Sequence, residues 1–322
     1  MDIVELYDLL WDFARQRVVT VASRTGILSK LSEQAASAAE LSASLNLDEL
    51  ATGKVVRALC ALGLLQADGE RYRLTPELLP HFVNSGEDLT AFIDHAHHLY
   101  DSWGASLEDW LRSGRHVRGQ RTREQTKKFG RAMLASARLL AQQVVAALDG
   151  LSGVEKVLDV GGGIGGYACV FCRAKKELKV TILDVDQVAE LGQQTLADTE
   201  FSDCISFQAG DYHQADFGSG FDLVLLANVL HIEKPQAAQN LIKQAAKALA
   251  PGGRLAIVDF VIDDEKRSNV MGALFAINMR SFGDAHTQPD IRGWMQAAAI
   301  DNIRCLDLPP AHWLITGAKK NL

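Results

Sequence analysis

The sequence predicts an α/β protein, a doubly wound parallel sheet closed by an antiparallel C-terminal hairpin and preceded by a smaller helical domain. Three observations carry this expectation. After Gly150, short apolar runs at Lys156–Val160, Lys179–Asp184, Ile205–Ala209, 221–226 and 254–260 alternate with helical segments, the rhythm of a parallel sheet with crossover helices. A turn with Gly161, Gly162, Gly163, Gly165 and Gly166 joins the first of these strands to a helix. The last two runs, 303–308 and 313–318, are separated by little more than Pro309-Pro310, too short for a crossover, so they pair antiparallel.

The N-terminal elements follow in order. Leu6, Leu9, Leu10 and Phe13 recur at helical spacing, and a second apolar series runs through Val18, Val21, Ile27, Leu28 and Leu31. Ser37 and Glu40 form a capping box that opens the helix Ala38–Leu45. A further helix over 52–62 carries Val55, Val56, Leu59 and Leu62 on one side and stops at Gly63. Residues 64–74 then read strand, Asp68-Gly69 turn, strand. Helix, helix, hairpin describes a winged-helix domain over 1–87, and 88–148 reads as a helical connector leading into a domain over 149–322. Three histidines, His95, His97 and His98, crowd the connector, where packing is expected and no metal.

Composition narrows the function. With 322 residues, 48% hydrophobic and 23% charged, the chain can bury two cores. A net charge of -7 repels phosphate backbones and anionic lipid, so neither nucleic acid nor membrane is an expected partner. No window reaches the roughly 20 apolar residues of a membrane span, and the acidic start Met1-Asp2-Ile3-Val4-Glu5 is unlike a signal peptide, so a cytoplasmic location is expected. The five cysteines are scattered through apolar runs and read as reduced thiols, with Cys169 and Cys172 packed on one helix face.

The chemistry concentrates at 157–166. An apolar strand ending in Asp159 runs into glycines that allow positive φ and close approach of a ligand to backbone N–H groups at a helix N-terminus. Gly161, Gly163 and Gly166 also satisfy G-x-G-x-x-G, a pattern that a nicotinamide dehydrogenase shares. Asp184 ends the second strand about twenty residues on, where a carboxylate accepts ribose hydroxyls. Gly210-Asp211-Tyr212 follows the third strand and puts an acid and an aromatic ring where an adenine would lie. Asn228, Leu230 and His231 follow the fourth strand, and Asp259 ends the fifth.

With these residues in view, the chain resembles the plant and bacterial small-molecule O-methyltransferases of the caffeic acid and acetylserotonin type. Gly26-Ile27-Leu28, Arg57 to Leu65, Leu158 to Gly165, Gly210-Asp211 and Leu230-His231 carry the resemblance, which spans nearly the whole chain. It implies a class I, Rossmann-like S-adenosylmethionine domain and a homodimer formed through the winged helix. Asp159, Gly161, Gly163, Gly165, Asp184, Asp211, Tyr212 and Asn228 would bind the cofactor. His231 would be the general base, oriented by Asp259. Three departures stand out: Ile232 replaces the acid that usually follows the histidine, Ala227 stands where a basic residue commonly precedes the motif, and Ala285 replaces a second carboxylate.

The acceptor is expected against a helix over 268–282, where Met271, Phe275, Asn278 and Met279 recur, with Trp103, Phe129, Met133 and His286 as further wall residues. Apolar and aromatic walls suit a flat organic acceptor. The leading expectation is therefore methyl transfer to oxygen of a small hydrophobic or aromatic molecule. Transfer to carbon, sulfur or nitrogen on the same scaffold is the alternative. A DNA-binding regulator and a cofactor-binding protein without activity are readings of another class; Lys54, Arg57, Arg71 and Arg73 are the only bases a regulator's helix and wing would offer.

Overall fold

The computed structural model describes residues 1–82, 89–115, 119, 121–262, 270–280 and 283–320. The chain forms two compact units, Met1–Ala105 and Ser106–Leu322.

The first unit contains α1 (Ile3–Leu9), α2 (Asp12–Arg24), α3 (Ile27–Glu33), β1 (Ala36–Ser37), α4 (Ala38–Leu45), α5 (Glu49–Ala61), β2 (Leu65–Asp68) and β3 (Arg71–Leu74), and the start of α6 (Thr90–Ser113). Ser37 caps α4 with its hydroxyl while Glu40 returns to the Ser37 amide, the reciprocal box expected there. Helix α5 begins three residues before the expected 52, because the Asp48 side chain accepts from the Ala51 amide and caps it earlier. Strands β2 and β3 form the expected hairpin, and β1 adds a short third strand in the order β1-β3-β2. Ile27, Leu28, Leu31, Leu41, Val56 and Leu59 centre the core. Leu6, Leu9, Leu10 and Phe13 are helical or flank helices as their spacing predicts, yet all four are exposed. His97 is buried, its Nδ1 facing the Arg17 guanidinium at 2.6 Å and Nε2 3.4 Å from Asp101.

The second unit continues through α7 (Arg123–Ala147), β4 (Lys156–Val160), α8 (Gly166–Ala174), β5 (Lys179–Asp184), α9 (Asp186–Leu196), β6 (Ile205–Ala209), β7 (Phe221–Ala227), α10 (Pro235–Ala248), β8 (Leu249–Asp259), β9 (Val261–Ile262), α11 (Val270–Met279), β10 (His286–Thr287), α12 (Gln288–Ala297), β11 (Ile300–Leu308) and β12 (His312–Lys319). The main sheet has the order β11-β12-β8-β7-β4-β5-β6. Strands β4 to β8 are parallel, and β12 runs antiparallel to both β8 and β11, which is the closing hairpin the sequence predicts. Alternation along β4 assigns its side chains to two layers. Val157 packs on the side of Phe171 of α8, while Leu158 and Val160 pack with Leu241 and Ile242 of α10. Of the helix expected over 268–282, α11 is the described part; Ser268 and Phe282 lie outside the described residues.

One expectation is corrected. Cys172 is bonded to Cys204, tying α8 to the loop before β6, while Cys60, Cys169 and Cys305 are free. The pair is 32 residues apart in sequence, so spacing gave no sign of it; the fold brings the two Cα atoms to 6.4 Å, within bonding reach. No helix of the described residues is long and apolar enough to cross a membrane.

Phe171 is fully buried between α7, α8 and the sheet. Phe171→Ala is expected to lower the unfolding free energy by about 3–5 kcal/mol in urea titration with an unchanged m-value. A loss below about 1 kcal/mol would mean that this layer collapses around the vacancy and does not hold the sheet.

Candidate active site

All the expected cofactor and catalytic residues lie at or beyond the C-terminal ends of the parallel strands, where an open α/β sheet forms its crevice. The glycine turn leaves β4 with positive φ at Gly161 (69°), Gly163 (61°) and Gly165 (101°). The Gly163 amide donates to Asp184 Oδ2 at 2.9 Å, and the Val185 amide donates to Asp184 Oδ1 at 2.8 Å. Asp184 thus braces the turn and holds its carboxylate beside it. Burial drives the Asp184 carboxyl above its usual range, against the two amides that pull it down.

Beneath the turn lies Asp159, 1% exposed, with neither carboxylate oxygen hydrogen-bonded. A Cβ built on Gly162 would stand 2.5 Å from this carboxylate, so glycine is required there for contact and not for φ. Burial, with the Asp184 charge in support, pushes Asp159 up to about 7. Asp211 follows β6 and accepts from the His213 amide at 2.9 Å. Its neighbour Tyr212 is half-buried, and its hydroxyl donates to Glu233 Oε1 at 2.7 Å.

The expected catalytic residues gather around Asp259. Its Oδ1 lies 2.6 Å from His231 Nδ1 and accepts from the Phe260 amide at 2.7 Å; its Oδ2 accepts from the amides of Leu230 (2.9 Å) and His231 (3.2 Å). Burial works to raise the Asp259 carboxyl, but the facing His231 and these donors outweigh it and hold it below the usual carboxylate range. A carboxylate fixed on Nδ1 selects the tautomer with the proton there and leaves the Nε2 lone pair available. The His231 ring meets Phe275 edge-on at 4.8 Å, and Phe275 stacks on Phe260 at 3.8 Å. No second carboxylate flanks the histidine from position 285, where Ala285 is buried.

The other expected residues are distributed as follows. Asn228 adopts φ 58° directly after β7, and its Oδ1 lies 2.9 Å from His312 Nε2. His286 is buried, with Nε2 3.0 Å from the Leu230 carbonyl, and so is tied to the turn that carries His231. On α11, Phe275, Asn278 and Met279 are half-buried and Met271 is exposed. Phe129 and Met133 are half-buried on α7, with the Arg121 guanidinium 3.9 Å from the Phe129 ring centre. Trp103 is half-buried on α6 in the first unit.

Two residues of this edge escaped the sequence reading. His312 opens β12, whose register against β8 pairs Trp313 with Asp259 and so brings His312 beside Phe260, ring centres 4.0 Å apart. Burial lowers His312 to about 4, so it is a neutral ring. Glu233 is buried beyond the catalytic turn with Tyr212 and His213. The register of the final hairpin was the one signal that could have pointed to His312.

A raised carboxyl makes the folded state bind more protons than the unfolded chain between the ordinary carboxylate range and pH 7. Stability from Asp159 therefore falls as pH rises through that window. Asp159→Asn is expected to stabilise the ligand-free protein by a few kcal/mol at pH 8 and by nearly nothing at pH 4, read as Tm at each pH. An equal gain at both pH values would remove the buried charge as its cause.

Left-handed glycines at a helix start, a braced carboxylate beside them and an unpaired buried acid beneath suit a nucleoside that carries positive charge. Comparison with known proteins agrees. A family model described as the O-methyltransferase domain matches residues 101–299. The 3-hydroxy-5-methyl-1-naphthoate 3-O-methyltransferase of Streptomyces sahachiroi is 26% identical over 98% of this chain and 94% of its own. The acetylserotonin O-methyltransferase of Bos taurus is 24% identical over 94% of each. Among solved structures, human N-acetylserotonin methyltransferase in complex with S-adenosylmethionine shares the fold with a TM-score of 0.86 and 21% identity, covering 99% of both chains. The chain belongs to the O-methyltransferase family and is an S-adenosylmethionine-dependent methyltransferase.

Proposed function

We propose that the enzyme methylates a hydroxyl on a flat aromatic acceptor, with His231 as general base and Asp259 as the group that orients it. The observation that carries this reading is the buried His231–Asp259 pair at 2.6 Å, set edge-on against the Phe275–Phe260 stack. The naphthoate 3-O-methyltransferase and acetylserotonin O-methyltransferase relatives are named for O-methylation of such ring systems, which supports the same class here.

S-adenosylmethionine supplies a methyl group on a sulfonium, an electrophile that needs no further activation. The glycine turn with Asp159 and Asp184 would hold its amino-acid and ribose portions, and Asp211 and Tyr212 would hold the adenine side. The protein's remaining work falls on the acceptor. An aromatic hydroxyl is a weak nucleophile until its proton leaves, and His231 Nε2 takes that proton as the oxygen attacks in line. Asp259 stabilises the imidazolium that results. Phe260 and Phe275 keep water away and offer a ring face for the acceptor, so positioning supplies the larger part of the rate gain, about 7–11 kcal/mol against about 10²–10⁴-fold for the base.

His231→Ala is expected to reduce kcat by about 10²–10⁴-fold while leaving the calorimetric affinity for S-adenosylhomocysteine unchanged. Full turnover in that variant would end the base assignment. The reaction itself is read from radiolabelled methyl transfer across a panel of phenols and naphthols.

A homodimer built on the N-terminal unit is part of the same proposal. Ile3, Val4, Tyr7, Leu10, Trp11 and Phe13 are each more than half exposed on or beside α1 and α2, an apolar surface too continuous for an ordinary monomer face. A second copy of this chain would cover it in an isologous contact. Sedimentation should give twice the chain mass for the wild type and a monomer for Leu10→Asp combined with Trp11→Asp; a wild-type monomer at micromolar concentration would refute the dimer.

A further inference from the structure

The sheet order places β6 and β7 on either side of β4 and β5. The loops after β6 and β7 therefore start about 14 Å apart, three strand spacings, with the glycine turn and Asp184 between them. They are nevertheless joined. The Tyr212 hydroxyl, from the loop after β6, donates to Glu233 Oε1 at 2.7 Å, and His213 Nε2 stands 3.1 Å from the same oxygen. The Tyr212 and His213 rings lie 4.6 Å apart, so both residues converge on one carboxylate.

Glu233 is only 8% exposed, and such a carboxylate is retained where its hydrogen bonds matter. It closes the 3-10 turn Leu230–Ile232, and its amide donates to the Leu230 carbonyl at 2.9 Å. His231 is the middle residue of that turn, and the amides of Leu230 and His231 are fixed on Asp259. A displacement of Glu233 therefore reaches the imidazole through a short, fully bonded segment. On the other side, burial and the Glu233 bond raise the Tyr212 hydroxyl above its ordinary range, so it stays a donor at working pH.

We propose that Glu233 is a positioning residue: by holding the Tyr212 hydroxyl it clasps the adenine-side loop to the catalytic turn, so that filling the nucleoside crevice and orienting His231 become one event. No role of this kind follows from the turn, the ribose acid or the base alone. The inference uses the cofactor crevice of the site above and does not require that His231 be the base.

The test is a double-mutant cycle with Tyr212→Phe and Glu233→Leu, with Glu233→Gln as the conservative variant. Each single change is expected to weaken S-adenosylhomocysteine binding about tenfold by calorimetry and to lower kcat by a similar factor. The double variant should be no worse than the worse single, a non-additivity of about tenfold, within the range for directly bonded pairs. Glu233→Gln keeps an acceptor oxygen for Tyr212 and should recover most of the affinity. Losses that multiply in the double variant overturn the proposal, as does a kcat loss with unchanged S-adenosylhomocysteine affinity, or wild-type behaviour of Glu233→Leu. Should Glu233→Leu fail to fold, Tyr212→Phe removes one oxygen and decides the matter by the same two readouts. If His231→Ala retained turnover, the base assignment would fall while the affinity cycle would still report on the clasp.

Discussion

The site is organised by one buried carboxylate. Asp259 ends β8 with almost no solvent contact and is surrounded by a ring nitrogen of His231 and the amides of Leu230, His231 and Phe260. An anion so placed is tolerated because donors converge on it, and the same donors fix the chain around it. The turn after β7 is thereby locked onto the end of β8, and the imidazole has one orientation. His286 adds a contact to the Leu230 carbonyl.

Asp159 presents the opposite case. It too is buried, two strands further into the sheet, yet neither oxygen has a partner. The two aspartates differ in how their burial is met. Asp259 is satisfied from within and holds geometry, whereas Asp159 lies under the turn as an unmet acceptor. The Gly162 backbone passes directly over it, so the turn and the acid constrain each other.

Much of this was legible in the sequence, and for a common reason. Strands β4 to β7 announce themselves as apolar runs, and residues immediately after a parallel strand must fall at the crevice, so Asp159, Asp184, Asp211, His231 and Asp259 could be placed from their positions alone. What was missed depends on contacts between distant segments. His312 reaches the site through the register of β12 on β8, Glu233 through a loop that meets another across two intervening strands, and Cys204 through its approach to α8. No local pattern encodes such meetings. The N-terminal helices were readable from their period, but period cannot say that Leu6, Leu9, Leu10 and Phe13 would stay exposed on the single chain.

The hairpin that closes the sheet has a further consequence. Because His312 sits against Phe260 and reaches Asn228, the floor beside His231 is finished by a strand that follows β4 to β8 in the chain. The glycine turn after β4 and the Asp184 carboxylate that braces it from β5 can meet while that strand is still being made. The turn and its brace can therefore form before the wall beside His231 is closed, an ordering imposed by chain connectivity.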